Sequence, residues 1–447
     1  MLSSRLHFVP AVELLIKNVT FQVIVAAIIG ILLALALGDT EWAKPGNILY
    51  DFIFLLKSTF LSALRMLIAP LIFFSLIGGV SGIGSVVKLR TLGSATVIYY
   101  LSTTGLAIAL ALFAVFFIHP WTAYPAAMDV GVQISENRMI DPGSDSLIYV
   151  LKQILNLAFT NPFKALVELN ILGIVTNAFL IGIAMVLVLP EDSPVITIVQ
   201  QINQVIGKIL GWIIRILPIG VFAILFDFTL RLSTDGGIDA SFLTQLLQFA
   251  LLVVILTLVH GIIILPAIAF LFAGKNPYTL LKNLSRPLLV AFSTSSSAAT
   301  LPVSMQTATE DLNVDDSVSS FVLPLGATMN MDGTALFEAV AAVFLAHVYG
   351  IELSNLMIFT VFLIAMVSSI GAPGMPTASM AGMQMVLISV GIPLEAIAIL
   401  LVIERPLDTI RTAVNVEGDL IGTLVVQNSL QKAGNNLLKQ APLKQAP

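Results

Sequence analysis

ERPLDTIRTAVNVEGD, residues 404–419, decides how this chain is to be read. Glu404, Asp408, Arg411, Asn415 and Asp419 are spaced by four, three, four and four residues, so a helix carries all five on one face. The simplest reading of such a stripe is the solvated side of a surface helix. The neighbours speak against it, because residues 396–403 and 420–426 are apolar on every side. A stripe of both signs between such flanks belongs inside a membrane bundle, where by default it marks a substrate or ion path. Arg411 can grip a carboxylate with two prongs, and Asp408, one turn away, can take an ammonium. Together they suit an amino acid with a second carboxylate on its side chain.

Working outward, the whole chain reads as membrane-embedded. Of its 447 residues, 57% are hydrophobic and 11% charged, with mean hydropathy +1.00; soluble domains carry about 25% charged residues. A formal charge of −5 argues against nucleic acid as a partner. With no cysteine, thiolate chemistry, disulfides and cysteine metal sites are excluded. His7, His119, His260 and His347 are scattered without metalloprotease spacing. Six crossings can be read in residues 19–37, 52–82, 95–118, 171–189, 209–226 and 249–273. Lys57 and Arg65 interrupt the second and Arg215 the fifth, so those helices should turn a polar stripe toward protein or water.

Loop charges set the expected orientation, because Lys and Arg stay on the cytoplasmic side. Lys17, Lys88, Arg90, Lys275, Lys282 and Arg286 fall on one side of an alternating path; Asp39, Glu41, Asp129, Glu136, Asp141, Asp145, Asp235 and Asp239 fall on the other. Both termini are therefore expected in the cytoplasm of a cell whose plasma (inner) membrane holds the protein. Residues 1–17 lack a short apolar core with a small-residue cleavage site, so no removable signal peptide is expected. The polar, basic stretch 428–447, with LKQAP repeated at 438–447, reads as a disordered tail.

Between 276 and 426 the apolar runs are interrupted by STSSSAA (293–299), GATMNMDGT (326–334), SSIGAPGMPTAS (368–379) and the charged stripe 404–419. In lipid, unwound backbone occurs only where protein or a cavity covers it, so these clusters mark a site. A serine-rich patch can also be small-residue helix packing, and GAPGMP can be an ordinary loop. The apolar runs flanking it, 356–367 and 380–390, are each too short to span, which favours a re-entrant hairpin; 293–299 sits likewise between short runs. Two such hairpins suggest an internal repeat with a midplane site. Around Asn330-Met-Asp332-Gly-Thr334, backbone carbonyls and the Asn330 and Asp332 side chains are hard oxygen ligands for a small cation. Glu338, in otherwise apolar helix, is a candidate proton carrier, or a structural carboxyl bonded to a neighbouring helix.

At these residues the sequence resembles the glutamate transporter family, the dicarboxylate/amino acid:cation symporters that include excitatory amino-acid transporters and archaeal aspartate transporters. The matching segments are SSSAATLP (295–302), PLGATMNMDGT (324–334), SIGAPGMP (369–376) and DTIRTAVNVEGD (408–419), in the family's order. The likeness extends forward through PIGVFA (218–223), TNPF (160–163) and Tyr99-Tyr100, covering nearly the whole chain.

The resemblance implies an all-α polytopic membrane protein: eight transmembrane helices, two re-entrant helical hairpins, inverted repeats, a homotrimer and an elevator mechanism. Residues 1–92 would hold scaffold helices 1 and 2, 93–148 helix 3 of the mobile unit and an outer loop, and 149–240 scaffold helices 4 and 5. Residues 241–427 would complete the mobile transport unit, and 428–447 the tail. Substrate would be held by Ser296 and Ser297, Met331, Thr334, Met375, Pro376, Asp408, Arg411, Thr412 and Asn415. Three sodium sets are implied: Gly326, Asn330, Asn415 and Asp419; Thr328 with the backbone around Ser369, Ile370 and Ala372; and Tyr100, Thr103, Thr104, Asn330 and Asp332. Glu338 matches the glutamate that eukaryotic members use for proton co-transport. The family's usual second arginine is missing, since Ser295 and Thr409 stand in its places; Arg405 is a candidate substitute.

The expectation is a symporter that takes up glutamate or aspartate with sodium, with a proton and counter-transported potassium as further candidate coupling ions, needing no organic cofactor and doing no enzymatic chemistry. A proton-driven dicarboxylate carrier would have no ammonium for Asp408, and a neutral amino-acid carrier no use for Arg411. A gated channel fits two broken hairpins less well than an occluding carrier. An intramembrane hydrolase using Ser295 to Ser297 lacks any accompanying catalytic motif.

Overall fold

The computed structural model describes residues 19–38, 40–81, 92–118, 158–190, 192–234, 240–371, 379–393 and 396–440, with 121, 152, 155 and 156 between them. Those residues are almost entirely helical, and no strand occurs among them. This is what lipid demands of a chain that must satisfy its own backbone. The first helices are α1 (Val19–Leu37), α2 (Ile48–Ser81), α3 (Ser94–Ile118), the short α4 (Pro162–Glu168) and α5 (Ile171–Val188). They are followed by α6 (Pro194–Arg215), α7 (Leu217–Thr234) and α8 (Ala240–Val259), which passes through a π turn (His260–Ile264) into α9 (Leu265–Ala273).

The fifth expected crossing, 209–226, is bent rather than straight. It straddles the junction of α6 and α7, which bend by 53°, with Pro218 in the first turn of α7. Proline has no N–H and its ring clashes with the preceding turn, so the apolar run continues while the helix does not. Among the described residues three helices are long and apolar enough to cross a membrane, Ser94–Ile118, Thr244–Ala273 and Asp316–Val348 taken across its internal break, or four if the bent α6–α7 pair is one span.

The C-terminal part is built of α10 (Pro277–Thr294), α11 (Ser297–Gln306), α12 (Asp316–Met329), α13 (Asp332–Val348), α14 (Asn355–Gly371), α15 (Ser379–Ser389) and α16 (Ile397–Gln440). Its breaks are narrower than the polar clusters that announce them. Asn276 caps α10 by accepting from the Tyr278 and Thr279 amides, with Pro277 in the first turn. Ser295 then takes a left-handed φ of 50°, and the Ser296 hydroxyl accepts from the Ala299 amide to start α11. Only Asn330 and Met331 separate α12 from α13. The third cluster is helical up to Gly371 and again from Ser379, while 372–378 lie outside the described residues. The fourth is an apolarity break only, because 404–419 stay inside the continuous α16 despite Pro406.

Helix α16 runs on to Gln440, past the start of the tail expected from 428. At that boundary two side chains are tied down. Gln427 donates to the Asn313 carbonyl and accepts from the Asp315 amide, and Asn428 donates to the Phe272 carbonyl. Residues 441–447 lie outside the described region.

Two groups of helices emerge from the packing. Helices α1, α2, α5, α6 and α7 lie mainly on one another. Helix α3 joins α8 to α16, with α13 in the middle, touching α3, α8, α14, α15 and α16. Every described residue of α13 except His347 is buried, so its polar groups can be satisfied only by neighbouring helices.

Candidate functional site

The stripe on α16 is a single buried face, as its spacing predicts. Arg411 is fully buried, as are Glu404 and Asp408. One guanidinium nitrogen, Nη2, reaches Glu404 Oε1 at 2.9 Å and Asp408 Oδ1 at 3.2 Å. It also lies 3.3 Å from the Ser379 hydroxyl at the start of α15, and that hydroxyl donates to the same Glu404 oxygen at 2.9 Å. The guanidinium carbon stands 4.0 Å from the centre of the Phe337 ring on α13, a cation–π contact. Nε and Nη1 of Arg411, and Oε2 of Glu404, have no hydrogen-bond partner among the described residues. Buried groups of this kind are normally paired, so the cluster presents unused donors beside surplus negative charge: two carboxylates to one guanidinium.

One to two turns further along α16, amide and carboxylate oxygens gather around the break between α12 and α13. Gly333 N donates to Asn415 Oδ1 at 2.8 Å, and Asn415 Nδ2 lies 3.3 Å from the Thr334 hydroxyl. Asn330 Nδ2 donates to Asp419 Oδ1 at 3.0 Å. A side chain at Gly326 would strike Asp419 Oδ1 and the Tyr100 hydroxyl, so the absence of a Cβ there lets these groups approach the α12 backbone. Thr103 Oγ1 lies 3.3 Å from both Asn330 Oδ1 and Asp332 Oδ1, and Thr104 donates to Asp332 Oδ1 at 2.7 Å. The donors are carboxylate, amide and hydroxyl oxygens, which suit a hard cation, and the two buried aspartates supply the charge to attract one.

The sets expected from sequence come together unequally. Gly326, Asn330 and Asp419 meet, as do Thr103, Thr104, Asn330 and Asp332, while Asn415 is bonded to Gly333 and Thr334. Tyr100 is adjacent, though its hydroxyl donates to the Val322 carbonyl at 2.7 Å. In the remaining set the Thr328 and Ser369 hydroxyls donate to the Leu325 and Met366 carbonyls of their own helices. Ile370 is half-buried, and Ala372 lies outside the described residues, with Met375 and Pro376. Of the remaining substrate candidates, Ser297, Met331 and Thr412 are buried and Ser296 caps α11. Arg405 makes no hydrogen bond with the Arg411 cluster, and its buried Nε has no partner among the described residues.

Glu338, two turns beyond Asp332 on α13, is fully buried. It accepts from the Ser368 hydroxyl of α14 at 2.9 Å through Oε1, and its Oε2 has no partner among the described residues.

Over residues 19–429 the chain matches the description of the sodium:dicarboxylate symporter family. It belongs to that family. Relatives include a putative sodium-dependent excitatory amino acid transporter, glt-4, of Caenorhabditis elegans, 31% identical over 93% of this chain and 91% of its own length. Human excitatory amino acid transporter 2 is 31% identical over 93% of this chain and 78% of its own. Rabbit neutral amino acid transporter B(0) is 32% identical over 89% and 76%. This symporter is thus a multi-pass membrane transporter and not an enzyme, coupling an amino acid or dicarboxylate to sodium.

Several contacts of the symporter's site escape sequence reading, among them those of Ser368 and Ser379, the two ends of the 368–379 cluster. His260, in the π turn, places Nε2 3.0 Å from Asp332 Oδ2. Ser379, Phe337 and Ser368 also take part. Each is a common residue in an apolar or small-residue run, and its partner lies on another helix, so no spacing announces it.

Proposed function

We propose that this symporter takes up acidic amino acids, glutamate or aspartate, with sodium and a proton, by an elevator motion in a homotrimer. The observation that carries the reading is the buried Asp408 and Arg411 pair, with unused guanidinium nitrogens, set on the same helix face as a cage of Asn330, Asp332, Asn415 and Asp419 oxygens. Arg411 takes the substrate's side-chain carboxylate, Asp408 its ammonium, and Thr334, Thr412, Asn415 and the 375–376 segment the remaining polar groups. Sodium ions neutralise Asp332 and Asp419. The two groups of helices support a division into a scaffold and a mobile transport unit, with α14, α15 and the segment between them as the gate. Glu338 carries the proton.

The neutral amino acid relatives supply the competing reading. Arg411 favours the acidic one, since a buried guanidinium with open donors has no partner in a neutral side chain. Uptake of radiolabelled aspartate into proteoliposomes tests the proposal. Uptake should collapse when external sodium is replaced by choline; unchanged uptake would sink sodium coupling, and preference for alanine over aspartate would sink the substrate assignment.

A further inference from the structure

Glu338 is gripped by both arms flanking the 372–378 segment, and only one of the two grips is a hydrogen bond. From α14, Ser368 donates to Oε1 at 2.9 Å. From α15, Gly382 lies so close that a Cβ there would overlap both Ser368 Oγ and Glu338 Oε1. The missing side chain at 382 is therefore what lets the Ser368 hydroxyl and the carboxylate meet. We propose that Ser368 and Gly382 are positioning residues for proton coupling, together setting the pH at which Glu338 loads. This rests on the assignment of Glu338 as the proton carrier.

The groups facing Glu338 from the surrounding helices leave Ser368 as the decisive one. Helix α14 carries no charged residue, nor does α15, whose Gln384 donates to the Met380 carbonyl. From α16 comes Arg411, which is held by Glu404 and Asp408. Helix α3 offers Tyr99 and Tyr100, whose hydroxyls donate to the Gly418 and Val322 carbonyls. Helix α8 has no titratable residue, and His260 beyond it faces Asp332 at the start of α13. His347 closes the far end of α13, more than two turns from Glu338. A donated hydroxyl favours the charged carboxylate, so removing it makes proton loading easier.

The test is the pH profile of sodium-driven aspartate uptake in proteoliposomes holding the full chain. In wild type, uptake should fall as external pH rises past a midpoint. Ser368→Ala should move that midpoint upward by about one unit, a tenfold change in proton concentration, while acid-side uptake persists; Ser368→Thr, which keeps the donor, should restore it. Gly382→Ala, which separates the pair from the other arm, should move the midpoint the same way and covers the case in which Ser368→Ala does not fold. Unaltered midpoints in Ser368→Ala and Gly382→Ala, with pH dependence lost in Glu338→Gln, would overturn this inference and leave the proton carrier in place. A pH profile unchanged in Glu338→Gln would overturn both.

Discussion

Lys57 with Asp227, and Arg411 with Glu404 and Asp408, are two ion pairs withdrawn from water in different parts of one chain, and they are satisfied to different degrees. In one, Lys57 of α2 donates to Asp227 Oδ2 of α7 at 2.6 Å, while Tyr50 donates to Oδ1 at 3.3 Å. One charge meets one charge, and both carboxylate oxygens accept. In the other, one arginine meets two acids, three acceptors crowd a single nitrogen, and two nitrogens have no partner among the described residues. A saturated buried pair holds helices together. An unsaturated one retains donors that a ligand can use, and its surplus charge makes it a site.

Breaking each pair should therefore have a different signature. Arg411→Cys should abolish acidic substrate uptake, a loss of about 2–5 kcal/mol or at least thirtyfold in affinity, and admit neutral amino acids. Retained high-affinity glutamate transport would remove Arg411 from the site. Lys57→Met strands Asp227 and should cost about 3–5 kcal/mol of stability, read as earlier thermal unfolding in detergent, with most of it recovered in Lys57→Met/Asp227→Leu. If the single change left unfolding unaltered, the saturated pair would not be a structural clamp. Gly326→Ala drives a methyl against Asp419 and Tyr100 and should raise the sodium concentration for half-maximal uptake by roughly tenfold; an unchanged sodium curve would dissolve the oxygen cage. The mildest change, Glu338→Gln, should flatten the pH dependence of uptake and preserve its sodium dependence.

Much of the site was legible because membrane sequence is so restrictive. In an apolar helix a charge is costly enough that five polar residues at helical spacing already identify the α16 face. The Asn330 to Thr334 break and the serine hairpin were visible for the same reason. What spacing could not show was the extent of unwinding. Two residues separate α12 from α13, where a nine-residue polar cluster stood in the sequence, because Gly, Ala and Thr are small enough to remain helical when neighbouring helices cover them. Likewise the junction at Pro218 was hidden inside an apolar run that only Arg215 interrupts.

By itself, then, the sequence determined that the chain is membrane-embedded, that its charge is concentrated at one buried stripe, and which residues on that stripe could meet an acidic amino acid and its cations. Tertiary structure alone decided which of them touch. It turned Asp332 toward His260 across 72 residues, set Arg411 over Phe337, and closed both arms on Glu338. The physical reason is that periodicity orders residues along one helix, while the partners of a buried polar group are chosen by how separate helices pack.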